Sequence, residues 1–132
     1  MFQQPVLSLH DAKHVATAAR AEAEKNGWAV VIAVVDDGGH LMYLERMDGC
    51  QKASSCIAEK KARTAILFKR PTKAIEDVVL GGRSVMMVMP GAVPIEGGVP
   101  LVKDGHFLGA IGVSGVQSSQ DGEIARAGAA AL

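Results

Sequence analysis

Five charged residues, dispersed along the chain, could do chemistry together: Asp36, Arg46, Lys61, Glu96 and Asp121. Asp36 ends the apolar run Val30–Val35, a poor place for a carboxylate unless it is paired or shapes a turn through its own backbone. Glu96 interrupts an apolar stretch just before Gly97-Gly98. An acid beside bare backbone can serve as a general base, and can as easily face solvent from an edge strand. Arg46 and Lys61 can clamp a ligand carboxylate or pair with acids at an interface. A carboxylate base (Glu96, Asp36 or Asp121) with a cationic clamp would suit a lyase, isomerase or hydrolase. The same groups without turnover would suit a binding protein.

The glycines sharpen where a ligand would sit. Gly97 and Gly98 are followed by a run carrying Gly109, Gly112 and Gly115, then by Ser118, Ser119 and Asp121. Glycine weakens a strand, so this density implies that something packs closely on the backbone. A strand, a glycine and a Ser-rich helix start also present amides to an anion. Gly97, Gly98, Gly115, Ser118 and Ser119 are therefore candidate ligand contacts, with Arg46 or Lys61 assisting.

Metal and nucleophile chemistry is less well supplied. His10 and His14 are spaced i, i+4, as on a metal-clasping helix face, but Asp11 stands where the zinc-protease signature needs Glu, and no third ligand is evident. His40 and His106 each sit in a hairpin turn. Cys50 and Cys56 read as small reduced thiols, which points to an intracellular, cytoplasmic setting. Ser114 lacks the spacing of a nucleophile elbow, and no glycine loop has the context of a nucleotide fingerprint.

These residues must be positioned by a small set of elements. Ser8, with Asp11 three residues on, caps a first helix to about Asn26, with Ala12, Val15, Ala16, Ala19 and Ala23 on one face. Residues 29–36 and 40–46 form a hairpin whose first strand is apolar on both faces, the mark of a central strand. A second helix spans 51–69. Pro71 stops it, and Thr72 caps a short third helix to about Leu80. Residues 81–91 read either as an extra strand or as a loop against a neighbouring subunit. Strands at 92–96, 99–103 and 106–114 follow, with a turn at Asp104-Gly105. The last helix starts near Ser118 and is so rich in Ala and Gly that it must pack closely. This order predicts an α+β domain over 1–132: about five strands, mostly antiparallel, with helices on both faces.

Composition bounds the function. The 132 residues suit one domain, and a core must come from aliphatic residues because aromatics make up only 4%. Lys and Arg total 14, as do Asp and Glu, so the basic excess of a nucleic-acid binder is missing and self-association meets no net repulsion. No apolar run reaches membrane-spanning length, and no leader pattern opens the chain.

Several runs together resemble the GlcG/HbpS family, related to haem-binding proteins and including the C-terminal domain of PduO corrinoid adenosyltransferases. They are Val34-Val35-Asp36 with Gly38-Gly39; Arg46-Met47-Asp48; Lys61-Ala62 with Thr64-Ala65; Gly97-Gly98-Val99-Pro100; Gly109 to Gly115; and Gln120-Asp121. The resemblance covers nearly the whole chain in order. It implies a profilin-like α/β/α sandwich and a homo-oligomer. It also implies a small-molecule ligand, namely haem, a corrinoid or another carboxylate-bearing compound, and a place in small-molecule catabolism. No histidine falls within the matched runs, so it names no iron ligand.

Overall fold

Ser8 starts the first helix with a reciprocal cap. Its hydroxyl accepts from the Asp11 amide at 3.0 Å, and the Asp11 carboxylate accepts the Ser8 amide at 3.4 Å. The computed structural model describes residues 1–132, and α1 runs Leu9–Lys25 with Ala12, Val15, Ala16, Ala19 and Ala23 buried, the predicted stripe.

The strands are β1 Val31–Asp36, β2 Leu41–Arg46, β3 Gly98–Lys103 and β4 His106–Ser114. They form one antiparallel sheet in the order β2-β1-β4-β3, which makes β1 a central strand. Side chains alternate across a strand, so β1 feeds both faces. Ile32 and Val34 join Ile111 and Val113 of β4 beneath α1 and the last helix, α4 (Ser118–Ala129). Val31, Ala33 and Val35 face α2 (Ser54–Leu67), against Ala58, Ala62, Ala65 and Ile66. The layers are α/β/α.

Two glycines explain how close the layers lie. A Cβ on Gly112 would stand 2.6 Å from the Ala62 amide nitrogen, so only glycine lets α2 lie directly on β4. A Cβ on Gly128 would meet Ile111 at 2.6 Å and the Val15 carbonyl at 2.9 Å, which is how the Ala/Gly-rich α4 seats on α1 and β4.

The sheet has four strands, not about five. Residues 92–96 are not a strand: the Val93 amide donates to Thr64 Oγ1 at 3.0 Å, Thr64 Oγ1 also reaches the Gly91 carbonyl at 3.2 Å, and the Ile95 amide turns back to the Val93 carbonyl. This segment is tied to α2 rather than to a sheet edge, and Pro94 has no amide to offer a ladder. Residues 81–91 contain a five-residue 3-10 helix, Ser84–Val88, with none of it buried. The third helix, α3, is Thr72–Leu80, but Thr72 does not cap it. Its buried hydroxyl instead accepts the Gly98 amide at 2.8 Å, joining α3 to β3.

Candidate functional site

The start of β3 crosses close to three helices. Glu96 is 6% exposed, an unusual degree of burial for a glutamate. Its Oε2 accepts from Arg126 Nη1 at 3.0 Å, and its amide donates to Glu76 Oε1 at 3.2 Å. Space for the carboxylate comes from Gly122: a Cβ there would stand 2.7 Å from Glu96 Cγ and 2.8 Å from Cδ. Gly122 and Arg126 are four apart on α4 and so share one face. Around them lies a recess of about 300 Å³ lined by Pro71, Lys73, Glu96, Gly97, Gly98, Val99, Gly122 and Arg126.

Two polar groups in this recess lack partners within the chain. Glu96 Oε1 accepts no hydrogen bond from the chain and is open to solvent at the recess. The Gly97 amide donates to nothing. Two cations complete the set. Arg126 leaves most of its donors free beyond the one on Glu96. Lys73 reaches both oxygens of Asp77, at 3.1 and 3.2 Å, and that contact, then Glu96 and Glu76, raises its pKa.

Lys61 and Asp121 lie under the recess. Lys61 is 2% exposed, and its Nζ donates to Asp121 Oδ2 and to the Val113 carbonyl, both at 3.1 Å. Asp121 Oδ1 accepts the Val116 amide at 3.1 Å, which closes the strand-to-helix turn. Burial pushes the Asp121 carboxyl above its ordinary value, and Glu96 adds to that, while Lys61 and the Val116 amide oppose it. Gly97 is the partition: a Cβ there would stand 2.8 Å from Lys61 Nζ and 2.6 Å from the Val113 carbonyl.

The remaining candidates lie elsewhere. Asp36 shapes the β1–β2 turn: its Oδ1 accepts the amides of Gly38 and His40, each at 2.9 Å. Partial burial opposes its ionisation, but those amides and His40 prevail, and its pKa is lowered. Arg46 borders a shallow depression with Arg20, Glu24, Glu45, Met47 and Asp48. Gly115 packs against the Ala29 carbonyl and Cys50 Sγ. Ser118 is half-buried and Ser119 exposed at the start of α4, and neither lines the recess. His10 and His14 are both exposed on α1, and no group of three or more His, Cys, Asp or Glu side chains is placed to hold a metal ion.

Thus Glu96, Gly97 and Gly98 meet in one recess, Lys61 and Asp121 pair behind Gly97 without lining it, and the other candidates are dispersed. Sequence reasoning missed Lys73, Gly122 and Arg126. One signal was available: Arg126 is the lone cation in the Ala/Gly-rich part of α4, one helical turn from a glycine.

A family model described as "Haem degrading protein HbpS-like" matches residues 7–130. The chain belongs to the HbpS-like family. Among curated relatives, it is 47% identical to protein GlcG of Escherichia coli K12 over 114 residues, which is 86% of this chain and 85% of GlcG. It is 34% identical over 130 residues to corrinoid adenosyltransferase PduO of Salmonella typhimurium, covering 96% of this chain but 39% of PduO. Among solved structures, HbpS superposes with a TM-score of 0.90 at 35% identity, covering 100% of this chain and 94% of that one. A PduOC–haem complex superposes with a TM-score of 0.87 at 33% identity, covering 97% and 96%. The α/β/α architecture is therefore the architecture of solved HbpS-like proteins.

Proposed function

We propose that this HbpS-like chain is a cytoplasmic, homo-oligomeric binding protein for a carboxylate-bearing small molecule, received in the Glu96–Arg126 recess. The carrying observation is the convergence of two cations, Lys73 and Arg126, with an unpartnered Gly97 amide on a recess walled by Pro71, Val99 and glycine. Guanidinium and amide donors together suit a carboxylate. An exposed free thiol at Cys56 supports a reducing compartment. The exposed apolar run from Val78 to Ile95 supports association with further copies.

Haem is the first ligand to try, because a structural neighbour is a haem complex. The recess alone does not fit it. About 300 Å³ is at the lower end for ligand pockets in general, and no His, Met, Cys or Tyr lines it to meet the iron. A second recess of about 210 Å³ has His106 beside Phe107 and Lys69, but is smaller still. The recess is better matched to a small acid.

A second reading, a small enzyme, is favoured by one observation: Glu96 Oε1 opens on the recess, unpartnered by the chain and beside the cations, as a general base would be. Asp121 has both oxygens committed to the chain, and Asp36 lies away from the recess with Oδ1 holding the β1–β2 turn.

Calorimetric titration with haem, iron-free protoporphyrin IX and a panel of small mono- and dicarboxylic acids tests the binding reading. Saturable binding of at least one acid, one per chain, weakened about tenfold or more by Arg126→Ala, is expected. If no acid saturates, or if Arg126→Ala binds as the parent does, the recess is not the ligand site. Consumption of a bound acid would favour the enzyme.

A further inference from the structure

We infer that the ligand of this recess carries a hydrogen-bond donor beside its carboxylate: it is a small 2-hydroxy or 2-amino acid rather than a plain or 2-oxo acid. The inference rests on the recess being the ligand site and adds what the occupant must look like.

Glu96 supplies the first reason. An ionised carboxylate only accepts hydrogen bonds. One of its oxygens is taken by Arg126, and the other, in a side chain 8% exposed, is open with no donor from the chain. An occupant that covers this oxygen takes it out of water, and an acceptor left unmatched there is costly, so the occupant that suits this site brings a donor to it. Separation supplies the second. Arg126 Nη1 lies 3.0 Å from Glu96 Oε2, so a carboxylate on the remaining guanidinium donors would stand within a few ångströms (~3–5 Å, about one hydrogen-bond length from each) of the open Oε1. A donor on the carbon next to the ligand carboxylate spans so short a gap.

Charge supplies the third reason. Glu76 is bonded to the Glu96 amide, and Asp77 holds Lys73. Each cation of the recess therefore already faces an acid, Lys73 facing Asp77 and Arg126 facing Glu96. A ligand presenting polarised hydrogens to Glu96 relieves the contact between its own carboxylate and that acid, an ammonium more strongly than a hydroxyl. A 2-oxo acid would turn a carbonyl lone pair toward Glu96 and be disfavoured.

The experiment is a calorimetric series on the intact protein with propionate, lactate, alanine, 2-methoxypropionate and pyruvate, which hold the carboxylate constant and vary its neighbour. At least one of lactate and alanine is expected to bind about tenfold or more tighter than propionate, as for a hydrogen bond to a charged group, with pyruvate weakest. Methylating the hydroxyl, as in 2-methoxypropionate, should abolish any lactate preference. Alanine leading identifies the ammonium form, and lactate leading the hydroxyl form. Glu96→Gln should reduce the preference to less than about threefold while propionate affinity is retained. Propionate binding as tightly as both donor-bearing acids overturns this inference and leaves the recess reading standing. If all five fail to bind, this inference falls, and the recess reading falls with it only if the wider acid panel fails as well. The wild-type series decides the matter even where Glu96→Gln does not fold.

Discussion

Lys61 shows how a residue that reads as a ligand clamp can be committed to the fold. Its ammonium is enclosed with Asp121 and the Val113 carbonyl, and removing one member of a buried pair strands the other charge. Lys61→Met is therefore expected to lose about 3–5 kcal/mol in urea unfolding, with Lys61→Met/Asp121→Leu recovering much of that. A double variant as unstable as the single one would mean that the charge pair is not what the site needs. Glu96 and Lys61 both stood in the sequence among the charged residues that could meet a ligand. Which would face a recess and which would be sealed beneath it was not legible, because both outcomes turn on Gly97, whose backbone separates them. Asp36 was legible as a turn-former because its partners, Gly38 and His40, are local.

At the scale of the element, the helices and the β1–β2 hairpin were largely readable, since capping and periodicity are local. The end of α2 was less so. Lys69 takes φ +52 where glycine is usual, and the amides of Lys69 and Arg70 return to the carbonyls of Ile66 and Ala65, a Schellman closure. The left-handed conformation costs Lys69 about 1 kcal/mol or more, partly offset by its ammonium lying 5.5 Å from the Phe107 ring centroid, worth about 0.5–1 kcal/mol. Lys69→Gly is expected to gain about 0.5 kcal/mol net, a rise of roughly 2 °C in Tm, whereas Lys69→Ala should lower Tm because it keeps the strain and loses the cation. Equal effects of the two substitutions would remove the conformational explanation. The strand expected at 92–96 failed for a non-local reason: Thr64, some 30 positions earlier, takes the Val93 amide.

For the whole molecule, the surface over α3 and the 3-10 helix is the outstanding feature. Leu80 is 77% exposed and Val88 76%, with Val85 and Met87 also exposed nearby. A balanced net charge opposes association little. Sedimentation velocity should show a multimer at micromolar protein that Leu80→Glu/Val88→Glu shifts toward monomer, with the fold retained by circular dichroism. A parent monomeric at all concentrations would refute the assembly. Because α3 also carries Lys73 at the recess, ligand affinity and assembly should be measured together.

Read by itself, the chain determines the α/β/α layers, the central place of β1, the capped first helix and the close-packed glycine strand, because each rests on local periodicity, capping or turn chemistry. It also singles out Glu96, Gly97 and Gly98. Only the tertiary structure decides that Lys61 and Asp121 pair beneath them, that Gly122 makes room for a buried carboxylate, and that Lys73 and Arg126 arrive from two helices. The physical reason is burial: whether a charge is sealed, paired or left open depends on backbones brought together from distant parts of the chain, and no spacing along the sequence records that distance.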